Sequence, residues 1–145
     1  MTTTDPVLDA LQTTLAGEHA AVYAFAAVGG RLEVDGSDAE AKAARQSFDV
    51  HRSRRDSLTT RVRGLDAVPV ASAGAYDVGP MATVDDARQV AGEVELGLTG
   101  PYAELVSALT PDQRDAPARW LVESTVRAQA WGAQVPDFPG LAERA

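Results

Sequence analysis

The sequence predicts an all-α fold, a bundle of four helices, from three observations. Four segments repeat apolar residues every three or four positions, which is the spacing of one face of an α-helix. Signals for β-strands are weak, because the one β-like run, residues 67–71, is broken by Pro69 and has no partner of similar composition. The chain has 145 residues and no cysteine, so we expect one domain that buries its core without disulfides.

The first helix is predicted over residues 5–34. Asp5 is a favourable N-cap, and Pro6 suits the first helical position because its missing N–H would have no partner there. An apolar stripe follows, with Glu18 at its middle. The stripe continues through a pair of glycines to Leu32, so the helix is expected to end shortly after that residue.

The second helix is predicted over residues 38–64. Ser37 and Glu40 form a capping-box pattern, in which each side chain satisfies a free backbone N–H of the first turn. The inward stripe of this helix is interrupted by two basic residues, His51 and Arg55. Both side chains are therefore expected to point toward the other helices.

The third and fourth helices are predicted over residues 83–109 and 111–133. Thr83 caps the third, and a Thr-Pro pair precedes the fourth. Near the middle of these helices lie Glu95 and Glu123, so a carboxylate is available at mid-height on each of them.

The connection over residues 65–82 is long and rich in Ala, Gly, Pro and Val, and we expect it to lack regular structure. At about 3.3 Å per residue it can reach roughly 55–60 Å, whereas the second helix is roughly 40 Å long at about 1.5 Å per residue. It can therefore cross the whole bundle and make helices 2 and 3 parallel. That connectivity is the one found in ferritin-like bundles.

Composition excludes several classes of function. A net charge of −8 argues against general nucleic-acid binding, which depends on Lys and Arg contacts with phosphate. No apolar stretch is long enough for a membrane span, and the N-terminus lacks signal-peptide features, so a cytoplasmic location is expected. A basic stretch over Arg45–Arg63 is interpreted as a helix face that pairs with acidic neighbours.

One candidate site lies at the centre of the predicted bundle. In ferritin-like di-iron proteins, two helices each supply a glutamate and the other two each supply a Glu-x-x-His pair. Each predicted helix here offers one such residue at mid-height: Glu18, His51, Glu95 and Glu123. The set is incomplete, because Phe48 stands three residues before His51 and Val126 stands three residues after Glu123.

A buried polar network without metal is the favoured interpretation of these residues. A lone carboxylate such as Glu18 is costly to bury unless it is paired. Arg55 follows His51 by one turn, and a guanidinium can replace the charge of a metal ion and bind a carboxylate in a bidentate manner. We therefore predict a network that links Glu18, His51 and Arg55 with Glu95 or Glu123.

The sequence resembles a family of small bacterial ferritin-like proteins classified as a domain of unknown function. The resemblance covers nearly the whole chain, and four groups of residues carry it: Glu18–Tyr23, His51–Asp56, Pro69 with Tyr76, and Trp131 with Phe138–Leu141. It implies a ferritin-like bundle with no assigned activity.

Two functions of different classes remain open. The favoured one is a non-catalytic bundle that forms a homodimer or binds a protein partner, since faces rich in Ala and Gly permit close helix contact. The alternative is a metalloprotein that holds iron or manganese with the reduced ligand set Glu18, His51, Glu95 and Glu123 and performs redox chemistry. A small-anion pocket at Arg52 or Arg55 is a further alternative for the basic stretch.

Overall fold

A computed structural model describes residues 5–141, and in this part of the chain all regular structure is helical. There are four α-helices and one short 3-10 turn: α1 (Pro6–Asp35), α2 (Asp38–Gly64), α3 (Val84–Ala108), the 3-10 turn (Pro111–Gln113) and α4 (Asp115–Ala130). Within residues 5–141 there is no strand, so the predicted all-α, four-helix class is confirmed. None of the described helices is long and apolar enough to cross a membrane.

The first three helices begin at the residues that their capping patterns indicate. The Asp5 carboxylate accepts hydrogen bonds from two N–H groups of the first turn of α1. In α2 the Ser37 and Glu40 side chains each accept from the backbone N–H of the other. Thr83 and Asp86 repeat this reciprocal arrangement at the start of α3. Each cap satisfies donors that have no partner inside the helix.

Two apolar clusters at opposite ends of the bundle fix the directions of the helices. The first cluster joins the beginning of α1 to the ends of α2 and α3 and includes Leu11, Leu15, Leu58, Val62, Leu105 and Leu109. The second joins the end of α1 to the beginnings of α2 and α3 and includes Phe25, Val28, Ala41, Ala44, Ala87 and Ala91. Helix α1 is therefore antiparallel to both α2 and α3, and α2 and α3 run parallel.

The connection between α2 and α3 contains no helix or strand and lies along α1. The amide of Gln12 holds its first part, since Nε2 donates to the Val68 carbonyl (2.7 Å) and Oε1 accepts from the Val70 N–H (2.8 Å). His19, two turns further along α1, donates through Nε2 to the Val70 carbonyl (3.0 Å). These bonds lead the connection from the first apolar cluster toward the second.

The rest of this connection is held by a pair of aromatic rings. Tyr23 of α1 packs against Tyr76 with ring centroids 5.5 Å apart. The Tyr76 hydroxyl in turn accepts a hydrogen bond from the backbone N–H of Ala73 (2.8 Å). The loop is thus attached to a single face of α1 at three successive levels, by Gln12, His19 and Tyr23.

Helix α4 is shorter than the predicted helix over residues 111–133. Pro117 has no N–H, and its ring would clash with the carbonyl four residues earlier, so the helix cannot extend back through the 3-10 turn at Pro111–Gln113. At the other end Gly132 has a φ of +93° and directs its own N–H, and that of Ala133, back to carbonyls of the last turn. This is a Schellman motif, which ends the helix.

Candidate functional site

A layer of polar side chains crosses the bundle between the two apolar clusters. We call this layer the central network, and its eight members are Glu18 from α1, His51 and Arg54 from α2, Glu95 and Tyr102 from α3, and Glu123, Ser124 and Arg127 from α4. All of them except Glu123 and Arg127 are buried. Such groups are stable in a core only when their hydrogen-bonding and charge requirements are met inside the protein.

His51 lies at the middle of the central network, between two carboxylates. Its Nδ1 lies 2.7 Å from Glu18 Oε2, its Nε2 lies 3.2 Å from Glu95 Oε1, and its ring stacks on Phe25. Because a carboxylate only accepts, the ring must donate at both nitrogens, which requires the protonated form. Burial opposes this charge, but the hydrogen bonds and negative charges of Glu18 and Glu95 outweigh burial and raise the pKa of His51 above 6.5.

The second oxygen of Glu18 is occupied by a phenol. The Tyr102 hydroxyl donates to Glu18 Oε1 and itself accepts from Arg54 Nη1 (3.0 Å). Burial, together with the nearby charge of Glu18, raises the pKa of Tyr102 well above its usual value. Tyr102 therefore keeps its proton. Its hydroxyl links Arg54 to the Glu18 carboxylate through two consecutive hydrogen bonds.

Arg54 is a buried guanidinium with a full set of neighbours, and only 4% of its surface is exposed. Its Nη1 also donates to Ser124 Oγ (3.0 Å), and its Nη2 donates to Glu123 (2.5 Å). The guanidinium carbon lies 5.4 Å from the ring centre of Tyr102 and 5.5 Å from that of Trp120. Aromatic faces stabilise a cation that has lost its water, which explains how this charge is accommodated in the core.

Arg127 closes the network on the opposite side. Its Nε lies 2.7 Å from Glu95 Oε1 and its Nη2 lies 3.3 Å from Glu95 Oε2, so the pair is bidentate. Nη2 also donates to Ser124 Oγ (3.2 Å), which therefore joins the two arginines. Burial would raise the pKa of Glu95, but the hydrogen bonds and charges of His51 and Arg127 lower it below 4.5.

The hydrogen bonds form a closed ring with balanced charge. Seven residues follow one another around it: Arg54, Tyr102, Glu18, His51, Glu95, Arg127 and Ser124. Glu123 is attached to this ring at Arg54 and is 43% exposed. Three carboxylates and three cations are present, so the network is neutral as a whole. Charge balance of this kind removes most of the cost of burying each ion alone.

The sequence identifies a family, and the fold is similar to that of a solved structure. Residues 10–143 match the family described as domain of unknown function DUF4439. The chain belongs to this family. The fold is similar to the crystal structure of a conserved hypothetical protein, rv2844, from Mycobacterium tuberculosis, with a TM-score of 0.80 and 23% identity over 90% of this chain and 98% of that one. No curated protein matches the chain.

The DUF4439 domain brings together most of the predicted site residues, but Arg55 is not one of them. Glu18 and Glu95 both contact His51, and Glu123 joins the network through Arg54. The inward position predicted for Arg55 is wrong.

Arg55 lies on the flank of α2 and pairs with its neighbour Asp56 (2.7 Å), whereas Arg54 points inward. Positions three and four residues after His51 both lie near the inward stripe of a helix. The partners on the other helices decide between them, because only Arg54 meets Tyr102 and the Trp120 ring.

The basic stretch of α2 in the DUF4439 domain pairs with acidic residues, as its charge pattern predicts. Four of its arginines lie within 4 Å of a carboxylate: Arg45 with Glu33, Arg52 with Asp49, Arg54 with Glu123, and Arg55 with Asp56. Three of these pairs are on the surface and add little stability. Arg54 is the member that carries charge into the core.

The side chains of the central network do not fit a metal ion in the arrangement described. Within residues 5–141 there is no group of three or more His, Asp or Glu side chains placed to hold a cation. Both oxygens of Glu95 face the guanidinium of Arg127, and both oxygens of Glu18 face hydrogen-bond donors. Val126 is 60% exposed, so it does not mark a vacant inward ligand position on α4.

We expect the stability of the DUF4439 domain to fall as pH rises above about 6.5. The folded-state pKa of His51 lies above its unfolded value, so its contribution is complete below 6.5 and is lost as pH rises through the folded-state pKa. Urea unfolding across a pH series from about 6 to 9 measures this loss. His51→Gln is the matched control and should show a flatter profile. Identical pH profiles for the two proteins would contradict the assignment.

We expect the substitution Glu18→Ala to destabilise the fold by about 3–5 kcal/mol, because it leaves the buried His51 cation with one carboxylate fewer. His51→Leu alone should also be costly, since it leaves Glu18 without its closest partner. The double variant Glu18→Ala/His51→Leu should cost less than the sum of these two single changes, because one negative and one positive charge are removed together. Urea unfolding of all four proteins gives the coupling energy, and strict additivity would show that the pair is not a unit.

Proposed function

We propose that this domain is a non-catalytic, ferritin-like bundle in which the central network occupies the position where related bundles hold metal. In this proposal the domain acts by forming a homodimer or by binding a protein partner. The observation that carries the proposal is the bidentate pair of Arg127 with Glu95. A guanidinium at this carboxylate supplies the positive charge that a metal ion would otherwise supply.

The path of the chain supports the ferritin-like part of the proposal. Helices α2 and α3 run parallel, and the single long connection between them lies along α1. Bundles with one long crossover are typical of ferritin-like proteins, which place their functional side chains at mid-height on all four helices. The central network lies at this level and draws on the same four helices.

The state of the polar side chains supports a non-catalytic role. A general base must be free to accept a proton from a substrate, yet each carboxylate oxygen of Glu18 and Glu95 already accepts a hydrogen bond inside the protein. The protonated His51 has no lone pair to offer, and the Ser124 hydroxyl is held by two arginines. A network in this state serves to fix the packing of four helices.

We expect the protein, purified without chelator or affinity tag, to contain much less than one equivalent of iron or manganese. Added Fe²⁺ or Mn²⁺ should leave its melting temperature unchanged, because a bound ion would have to displace Arg127 and the His51 proton. Elemental analysis and thermal denaturation test this expectation. Stoichiometric metal that disappears in Glu95→Gln would instead support the metalloprotein alternative, with Glu18, His51, Glu95 and Glu123 as its ligands.

The surface of α4 supports self-association. Val122 and Val126 lie one turn apart and are both more than half exposed, which forms an apolar strip on the outer side of the helix. Two such strips can cover one another across a two-fold axis, which is the commonest arrangement of homo-oligomers.

We expect a dimer at about tens of micromolar protein, and we expect Val122→Glu/Val126→Glu to convert it to monomer, because facing carboxylates would repel one another. Val34→Glu is a matched control, since Val34 is also exposed but lies on α1. Sedimentation velocity distinguishes the species. A wild-type protein that sediments as monomer at this concentration would exclude the homodimer.

A further inference from the structure

The structure contains a cleft between α2 and α4 that the central network does not explain. Its volume is about 740 Å³, within the range of roughly 300–1,000 Å³ that is usual for ligand pockets. The walls are mainly apolar and are formed by Ala39, Ala43, Val50, Ala130 and Trp131. A cleft of this size and lining is suited to an organic ligand with an apolar body.

Two polar side chains that line this cleft have hydrogen-bonding groups without a partner among the described residues. Arg127 lines the cleft and uses Nε and Nη2 for Glu95 and Ser124, which leaves the two N–H groups of Nη1 without a partner among residues 5–141. Ser47 also lines the cleft, and its hydroxyl has no hydrogen-bond partner among residues 5–141. It is not one of the fully buried atoms that lack a partner, so a ligand in the cleft can reach it.

The other charged residues of the cleft pair with neighbours of opposite charge. Arg88 Nε lies 2.5 Å from Glu40, whose pKa is lowered to about 2 mainly by the hydrogen bond from that arginine. Asp49 pairs with Arg52 (3.2 Å). Arg88 has two carboxylate partners, Glu40 and Asp85. Arg127 has one, Glu95, which it shares with His51, so its charge is the less compensated of the two and favours an acceptor that carries negative charge.

We propose that the cleft between α2 and α4 binds a monocarboxylate with an apolar chain or ring, with its carboxylate on Arg127 Nη1 and the Ser47 hydroxyl and its apolar part along Ala43, Ala130 and Trp131. A single negative charge is specified, because Glu40 and Asp49 at the cleft and the net charge of −8 disfavour a polyanion. The site is independent of the outer strip formed by Val122 and Val126, which does not line the cleft.

Decanoate, used below its micelle concentration, is the probe for the test, and decanol is the matched neutral probe. Isothermal titration calorimetry should show saturable binding of one decanoate per chain, at least about tenfold tighter than decanol. Ala130→Trp should abolish binding by filling the cleft from an exposed position. Gln129→Trp, which adds the same ring outside the cleft, should bind as the wild type does.

Arg127→Lys tests the head group separately. Lysine keeps a positive charge near Glu95 but lacks the planar Nη1 donors, so decanoate affinity should fall about tenfold while the preference over decanol disappears. Thermal denaturation of each variant verifies that it is folded.

The proposal is overturned if decanoate does not saturate, if Ala130→Trp binds like the wild type, or if decanol binds as tightly as decanoate. It is also overturned if sedimentation shows that Ala130→Trp disrupts a dimer in which a second copy covers the cleft.

Discussion

A protonated His51, buried between the carboxylates of Glu18 and Glu95, joins α1, α2 and α3 at one level. Two carboxylates and one imidazolium carry a net negative charge, and such a charge is costly in a dry core unless it is balanced. Arg127 of α4 supplies the one positive charge that balances them, and the buried Arg54 of α2 is balanced in turn by Glu123. The contact of Arg127 with the core therefore follows from the burial of His51 with two acids.

Charge balance also restricts how the helices can pack. Apolar side chains at the two ends of the bundle tolerate small rotations, because hydrophobic contact has no preferred direction. Hydrogen bonds at 2.7–3.2 Å around His51 and Arg127 do not, since a rotation of α2 or α3 by one residue would separate donors from acceptors. The network thus fixes one relative rotation of the helices, whereas the two apolar clusters alone would permit several.

The fold could be predicted from the sequence more completely than the site, and α2 shows why. Capping residues and apolar spacing are local signals, so they located the helices and the long connection. They could not choose between Arg54 and Arg55, which lie side by side near the inward stripe, because the choice depends on Tyr102 and Trp120 of other helices. Arg127 was not predicted as a member of the network, because a mid-helix arginine is ordinarily exposed.

Helix α4 depends on the network more than the other helices do. Helix α4 packs on α3, and its contact with α2 is made by Arg54, which binds Glu123 and Ser124. Further along, the cleft separates α4 from α2. The two network members that are partly exposed, Glu123 and Arg127, are both on α4. Polar contacts rather than a shared apolar face connect α4 to α2, so a change in the charge of the network acts directly on this contact. Arg127 faces both Glu95 and the cleft, so the charge state of the core and the occupancy of the cleft act on the same guanidinium.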